Sequence, residues 1–210
     1  MIFEKIDFKF DIVQLQNTVV DIERKFQPAN QNDNFNGWSV LSSNGSYLDG
    51  WQKAHYLLDP KINPSEKNNM REALVKNFSE YTIETEICKD YLAEVIKQVR
   101  HLNLNPYRAR IICLNAGAES VWHVDEKADN YCVRLHIPIK TNVGCVFETE
   151  SQSDHMAADG SGYFVYVNRL HRVVNRGTDK RYHLVMNVLD QKGLTQYHST
   201  DYFQNTVKQK

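Results

Sequence analysis

The feature that most constrains the fold is a series of short β-type segments that begins after Asn105. Each segment is rich in β-branched, aliphatic and aromatic residues, and turn-forming Asn, Gly, Asp and Ser residues separate the segments. Several short strands at this spacing are typical of an antiparallel sandwich or barrel such as a jelly roll. The predicted strands are Tyr107–Leu114, Tyr131–Ile139, Gly144–Phe147, Gly162–Val167 and Tyr182–Leu189.

The chain before residue 105 is predicted to be rich in helix. Between Asp11 and Phe26, apolar residues recur at spacings of three and four, and Asp11 stands where it can cap the helix. Two more helices are predicted, from Ser65 to Phe78 and from about Glu84 to Leu102. The segment Pro28–Gly50 favours a surface loop over an active-site lid and includes a short strand-like piece at Trp38–Leu41.

The length of 210 residues suits one domain. We expect a helix-rich part over 1–105, a jelly-roll core over 106–190 and a C-terminal tail over 191–210. A net charge of -1 gives no general attraction to nucleic acid or to an anionic membrane. No apolar run reaches the roughly 18 residues of a membrane helix, and the N-terminus lacks a secretory apolar core, so a cytoplasmic protein is expected.

The four cysteines are widely spaced, which indicates neither a disulfide framework nor a zinc knuckle. We expect buried, reduced thiols at Cys88, Cys113, Cys132 and Cys145.

Two of the predicted strands place Arg and His on the face opposite an apolar one. Because side chains alternate along a strand, Arg134 shares a face with His136, and Arg181 shares a face with His183. Such faces can be the solvated side of a sandwich. However, solvated faces are dominated by Lys, Glu, Ser and Thr, so the choice of Arg and His favours a site.

A His-x-Asp pair and one distant histidine complete the pattern. His123 and Asp125 are two residues apart, and His171 follows 46 positions after Asp125. Two His and one carboxylate form the facial triad of non-haem Fe(II) sites, although His-x-Asp alone is a weak signal. Arg181 follows His171 by ten positions, and its planar guanidinium can donate two parallel hydrogen bonds to a carboxylate.

Three segments together resemble a known family: RARIICLNAG, WHVDEKADNYCVRLHIPI and GYFVYVNRLHRVVNRGTDKRYHLVMNV, within about residues 107–189. They are similar to the aspartyl/asparaginyl β-hydroxylase branch of the Fe(II)/2-oxoglutarate-dependent oxygenases, a branch that includes a bacterial cis-4-proline hydroxylase. The resemblance implies an α+β fold, in which N-terminal helices pack on a double-stranded β-helix core of the jelly-roll or cupin type.

The resemblance also implies roles for individual residues. His123, Asp125 and His171 match the iron ligands, and Arg181 matches the arginine that binds the distal carboxylate of 2-oxoglutarate. Arg134 and His136 match positions around the other carboxylate of the co-substrate. The presence of Asp125 favours hydroxylation over halogenation, because no ligand position is left for halide. Residues beside the site or near substrate are expected at Trp122, Asn175, His183 and Arg172.

The implied activity uses Fe(II), 2-oxoglutarate and O₂ to hydroxylate a C–H bond of an amino acid or amino-acid-derived small molecule, with release of succinate and CO₂. Three alternatives stay open: a peptidyl Asp, Asn or Pro hydroxylase of the same family, a non-catalytic cupin-like module that binds a metal or ligand, and a three-His cupin dioxygenase. Asp125 and Arg181 count against the last. The oligomeric state stays open as well.

Several neighbouring residues have an ordinary explanation. Core packing is favoured for the aromatic residues near the ligands, and solvated loop charges for the basic ones. The residues concerned are Trp122, Tyr163, Phe164 and Tyr166 in the first group and Lys127, Arg169 and Arg172 in the second.

Overall fold

The computed structural model describes residues 2–49, 80–123, 125, 133–167 and 170–189. These residues form two helices, α1 (Ile12–Lys25) and α2 (Tyr91–His101), and twelve strands. The strands are β1 (Phe3–Lys9), β2 (Asn30–Gln31), β3 (Phe35–Ser39), β4 (Leu41–Ser42), β5 (Ile83–Glu84), β6 (Asn105–Leu114), β7 (Val133–Lys140), β8 (Cys145–Thr149), β9 (Ser153–Asp154), β10 (Ser161–Val165), β11 (His171–Asn175) and β12 (Arg181–Leu189).

Two antiparallel sheets form the β core. The larger has seven strands in the order β1-β10-β7-β12-β6-β3-β2, and the smaller has the order β11-β8-β9. An apolar cluster joins them, in which Phe147 of β8 lies with Tyr163 and Val165 of β10. The architecture confirms the predicted α+β jelly roll.

The helices cover the outer face of the larger sheet. Helix α1 buries Leu15, Val19 and Ile22, because their spacing of three and four puts them on one side. They join one large apolar cluster with α2 and with alternate residues of β7 and β12. The strand members of this cluster include Leu135, Ile137, Ile139, Leu184, Met186 and Val188.

The opposite faces of β7 and β12 point inward, between the two sheets, and are polar. His136, Arg181, His183 and Asn187 are each 5% exposed or less. The register pairs Arg134 with Asn187 and His136 with Val185 across the two strands. These faces are therefore the lining of a lumen rather than a solvated surface.

The N-terminal part departs from the sequence prediction in three places. Strand β1 pairs with β10 of the larger sheet, although no strand is predicted there. Helix α2 begins at Tyr91 rather than near Glu84, because residues 83–84 pair with β4 as strand β5 and a turn follows. The segment 28–50 holds β2, β3 and β4, and residues 37–42 are buried, so the prediction of a surface loop is wrong there. The strand-like piece predicted at Trp38–Leu41 overlaps the end of β3 and the start of β4, with a break at Val40.

Further expectations concern the cap of α1, the cysteines and membrane-spanning helices. The Asp11 carboxylate accepts hydrogen bonds from the Val13 and Gln14 amides, as predicted for a helix cap. Cys88, Cys113 and Cys145 are buried free thiols, whereas Cys132 and the predicted helix Ser65–Phe78 lie outside the described residues. Among the described helices, none is long and apolar enough to cross a membrane.

Candidate metal centre

The three predicted metal ligands come together at the edge of the smaller sheet. His171 is the first residue of β11, and its backbone exchanges two hydrogen bonds with His123, of 2.9 and 3.0 Å. The Asp125 amide donates to the carbonyl of Val167 at 3.0 Å. The loop that carries His123 and Asp125 is thus held to the strand pair by backbone hydrogen bonds on both sides of the site.

The donor atoms of the three side chains lie within 4.8 Å of one another. The Asp125 Oδ2 atom is 3.6 Å from His123 Nε2 and 3.3 Å from His171 Nε2. The two imidazole rings are neighbours, with centroids 4.3 Å apart. Within the described residues, this is the group of His, Cys, Asp or Glu side chains that could hold a metal ion.

The hydrogen bonds of the ligands fit a bound cation. His123 Nδ1 lies 2.7 Å from the Val121 carbonyl, which can only accept, so this nitrogen carries the proton. In the neutral ring, Nε2 then presents its lone pair toward the Asp125 carboxylate. A proton on Nε2 or a metal cation removes the repulsion between these two acceptors, and imidazole and carboxylate suit Fe(II).

Arg134 fixes the charge of the carboxylate. Its Nη1 atom lies 2.6 Å from Asp125 Oδ2. Burial alone would raise the pKa of Asp125, but Arg134 and then the two histidines outweigh it and hold the pKa well below its usual value. For His123, burial lowers the pKa, and the hydrogen bond to Asp125 outweighs it and raises the pKa. Arg134 therefore contacts a predicted ligand directly.

His171 is held from its other side by an aromatic ring. The Phe147 ring is nearly parallel to the imidazole, with centroids 4.8 Å apart and an interplanar angle of 13°. His171 is 2% exposed, whereas the His123 side chain is 35% exposed. The site therefore has one enclosed ligand and one open to the outside.

Deeper in the lumen, Arg181 lies against two neutral histidines. Arg181 Nη2 donates a hydrogen bond to His183 Nδ1 at 2.8 Å. His136 Nδ1 lies 3.5 Å from His183 Nδ1. Burial and then Arg181 lower the pKa of both His136 and His183 well below the usual value. Burial also lowers the pKa of Arg181 to about 10, so it remains cationic at neutral pH. The Nε2 atoms of both histidines are buried and have no hydrogen-bond partner within the described structure.

The sequence profile of the aspartyl/asparaginyl β-hydroxylase family matches residues 11–191. The chain belongs to this family. The match spans α1, every strand of the two sheets except β1, and the His–Asp–His group. As a member of the aspartyl/asparaginyl β-hydroxylase family, the protein is a 2-oxoglutarate-dependent dioxygenase that hydroxylates its substrate, which confirms the enzyme class expected from the sequence.

Three solved structures are similar to the chain at low sequence identity. A prolyl hydroxylase from Trichoplax adhaerens, solved with a hypoxia inducible factor peptide fragment, is 13% identical with a TM-score of 0.49, over 94% of this chain and 88% of that one. A viral collagen prolyl hydroxylase from Paramecium Bursaria Chlorella virus-1, solved with 2-oxoglutarate, is 11% identical with a TM-score of 0.46, over 91% and 97%. A Bordetella pertussis cupin domain is 17% identical with a TM-score of 0.33, over 40% and 83%. No curated protein matches the chain. The family assignment rests on the profile.

Two residues expected beside the site or near substrate, Arg172 and Trp122, contact each other at its rim. Arg172 donates to Glu148 at 2.7 Å and to Glu119 at 3.0 Å, and its guanidinium lies 4.9 Å from the centroid of the Trp122 ring. It is therefore neither a solvated charge nor a group free to hold substrate. Trp122 is 42% exposed and contributes to the rim of the site rather than to the core.

Asn175 acts as a connector between strands. Its Nδ2 group lies within hydrogen-bond distance of the carbonyls of Leu114, Asn115 and Asp179, and its Oδ1 atom accepts from the Gly177 amide. Its polar atoms are thus used by the chain itself. Asn175 fixes the turn that leads from β11 to Arg181.

The aromatic residues divide between two packing regions. Tyr163 lies in the cluster between the sheets, and Phe164 lies on the helix side, so Phe164 does not line the lumen. The Tyr166 hydroxyl donates to Glu4 at 3.2 Å.

His155 Nδ1 lies 2.8 Å from the Cys145 carbonyl, outside the His–Asp–His group. Lys127 and Arg169 are outside the described residues.

Sequence reasoning missed three buried lumen residues, Tyr107, Arg110 and Asn187. Strand alternation puts Asn187 on the same face as Arg181 and His183, but an uncharged amide is a weaker indication of a site than Arg or His. Strict alternation along β6 would put Arg108 and Arg110 on one face. The structure instead has a β-bulge at Arg108, with φ 50°, so the register pairs Arg110 with Val185 and Tyr107 with Asn187.

Proposed function

We propose that the protein binds Fe(II) through His123, Asp125 and His171 and hydroxylates a C–H bond of a free amino acid or amino-acid-derived small molecule. The observation that supports this most directly is the His–Asp–His group, whose donor atoms lie within 4.8 Å of one another beside a buried lumen that contains Arg181. Bound iron, with 2-oxoglutarate and O₂, would supply the oxidising chemistry, with succinate and CO₂ as the other products.

The residues of the chain have distinct parts in this proposal. Arg134 keeps Asp125 ionised and oriented, since its guanidinium forms a charge-assisted contact of 2.6 Å with that carboxylate. The Val121 carbonyl fixes the tautomer of His123, and Phe147 holds the ring of His171. These contacts position the ligands before any ion arrives.

Arg181 is proposed to bind the distal carboxylate of 2-oxoglutarate. One of its N–H groups is donated to His183, and the guanidinium has further N–H groups for a carboxylate. The burial of Arg181 strengthens this interaction, because water does not screen it. The unpartnered Nε2 atoms of His136 and His183 offer further hydrogen bonds within the same lumen.

A peptidyl substrate is the second candidate. Exposed apolar side chains flank two of the ligands: Val121 is 68% exposed, Trp122 42% and Leu170 38%. Such a rim suits a substrate that extends beyond the lumen. Family membership in a class of hydroxylases speaks against the non-catalytic module, and Asp125 in the His–Asp–His group speaks against a three-His dioxygenase.

The experiment measures Fe(II)-dependent succinate formation with free amino acids and with peptides that contain the same residues. Stimulation by peptides alone would defeat the small-molecule version. His171→Ala should abolish iron binding and turnover, whereas the control His155→Ala should retain both. Arg181→Gln should raise the Kd of 2-oxoglutarate about 10- to 100-fold through loss of a charge-assisted contact. A wild-type Kd in Arg181→Gln contradicts the role assigned to this residue.

A further inference from the structure

Asn187 of β12 has a buried side-chain amide without a hydrogen-bond partner among the described residues. It is 1% exposed, and neither its Oδ1 nor its Nδ2 atom has a partner within the described structure. Buried amide groups are almost always paired, since an unmade hydrogen bond costs about 1–3 kcal/mol for each group. Such an exception indicates a polar group that occupies the space beside Asn187 in the working protein.

The position of Asn187 places it in the lumen next to the candidate metal centre. Leu184, Met186 and Val188 belong to the helix-side cluster, so the alternating residues His183, Val185 and Asn187 face inward. Across the sheet, Asn187 pairs with Arg134, whose guanidinium contacts the predicted ligand Asp125. Asn187 is therefore the cross-strand neighbour of the residue that contacts the candidate metal centre.

The neighbours of Asn187 define the charge of its ligand. The residue opposite Asn187 on β7 is the cationic Arg134. On β6, the bulge at Arg108 brings Tyr107 opposite Asn187 and Arg110 opposite Val185. Arg110 is 6% exposed. A pocket with buried guanidinium groups favours a ligand that carries a carboxylate.

The amide itself defines a second requirement. Nδ2 can only donate and Oδ1 can only accept, so a ligand that satisfies both must offer an acceptor and a donor side by side. 2-Oxoglutarate offers acceptors alone and would leave Oδ1 unpaired. An α-amino acid has a carboxylate oxygen for Nδ2 and an adjacent N–H for Oδ1. The chemistry of the pair thus fits the substrate better than the co-substrate.

We propose that Asn187 is the substrate-recognition residue of the lumen and binds the carboxylate and the adjacent α-amino group of a free α-amino acid. This inference rests on the proposed function, because it assigns the substrate class of the same site. It adds a specific discrimination: a residue inside a peptide has neither a free carboxylate nor a free amino group, so its hydrogen bonds to Asn187 are neutral and weaker.

The first test measures binding without catalysis. The protein is loaded with catalytically inert Zn(II) and 2-oxoglutarate, and its melting temperature is measured with each of the twenty free L-amino acids. The amino acid that raises it most is then titrated by calorimetry. Asn187→Leu should weaken its binding at least tenfold, and by more than any change in the Kd of 2-oxoglutarate.

Asn36→Leu is the matched control. Asn36 also has a buried amide oxygen without a partner, but it pairs with Cys113, whose side chain belongs to the helix-side cluster. We expect wild-type affinity for the amino acid in this variant. If Asn187→Leu does not fold, Asn187→Ser, which keeps a small polar side chain, replaces it.

Chemical variants of the ligand identify the groups that Asn187 recognises. The C-terminal amide and the N-acetyl derivative of the best amino acid should bind the wild-type protein at least tenfold more weakly than the free amino acid. In Asn187→Leu this preference should fall at least threefold, since the hydrogen bonds of Asn187 are lost while the guanidinium groups of the pocket remain. A merely structural role for Asn187 would lower the melting temperature of the ligand-free variant and leave the preference intact.

Three results would overturn the inference. They are the absence of any shift with all twenty amino acids, wild-type affinity in Asn187→Leu, and an unchanged preference for the free amino acid in that variant. Wild-type affinity would mean that ordered water satisfies the amide. The proposed function fails separately, through the absence of Fe(II)-dependent succinate formation, whatever Asn187 binds.

Discussion

At the scale of single residues, Arg172 contributes to the site from outside it. It follows the predicted ligand His171, and it contacts Trp122, which precedes the predicted ligand His123. Its two ion pairs, with Glu148 and Glu119, hold the guanidinium in place under the indole ring. Arg172 thus connects the chain on both sides of the candidate metal centre, and contacts of this kind tune metal affinity.

Arg172→Ala should weaken metal binding about tenfold, because the loop that carries His123 loses its contact through Trp122. The measurement is the Kd of Co(II), followed by its absorption spectrum. Arg176→Ala is the control, since Arg176 also pairs with Glu148, at 2.6 Å, but is not paired with the Trp122 ring. Equal Kd values in the two variants would contradict the role of Arg172.

At the scale of elements, the local sequence predicts helix α1, and the periodicity of its apolar residues predicts which face packs against the sheet. Asp11 accepts from two first-turn amides, and the apolar stripe lies against the sheet. The sequence predicted this element well because both signals are local. Strand β11 is not among the predicted strands, since its short HRVVN sequence becomes a strand only by pairing with β8.

Asp11→Ala should lower the free energy of unfolding by about 1 kcal/mol, because two amides of the first turn lose their acceptor. Urea denaturation measures the change. Asp21→Ala in the same helix removes only exposed pairs with Arg24 and Lys25 and should cost less than about 0.5 kcal/mol. Equal losses in the two variants would show that the cap is not the stabilising contact.

The ion pairs of Glu148 between β8 and β11 predict how the free energy of unfolding depends on pH. The ion pair with Arg176 lowers the pKa of Glu148 against the opposing effect of burial, and Arg172 lowers it further. A carboxyl group with a lowered folded pKa stabilises the protein above its unfolded value of about 4.3, and this contribution is lost as pH falls through the folded pKa.

Glu148→Gln should therefore be less stable than the wild type, by about 2 kcal/mol, at pH 6. The difference should shrink as pH falls from about 5 to 3, because the wild-type carboxylate becomes protonated. Urea denaturation across this range measures it. Glu150→Gln, at an exposed position of the same turn, serves as the control. A difference that does not change with pH would rule out this ion-pair contribution.

At the scale of the whole molecule, the candidate metal centre lies where the sheets meet. His171 belongs to the smaller sheet, while Asp125 is tied through Arg134 to β7 of the larger sheet. An ion bound by these ligands would link the two sheets. Its binding free energy would then stabilise the folded state.

The melting temperature of metal-free protein should accordingly rise when Co(II) is added. A concentration 100-fold above the Kd corresponds to about 2.7 kcal/mol of added stability. Differential scanning calorimetry measures the shift, which should disappear in His171→Ala and persist in His155→Ala. A shift of equal size in His171→Ala would mean that the ion binds elsewhere.

The sequence alone determined the elements whose signals are local: the capped helix α1, the alternating faces of β7 and β12, and the His123, Asp125, His171 and Arg181 pattern typical of the family. Only the tertiary structure decided what surrounds these residues. Burial turned the polar faces of β7 and β12 into a lumen, and the bulge at Arg108 moved Tyr107 into it. The Asn187 side chain has no hydrogen-bond partner there among the described residues. The physical reason is that alternation fixes which residues share a face, whereas the packing of the two sheets and the helices decides which face is enclosed and which polar groups remain unpaired.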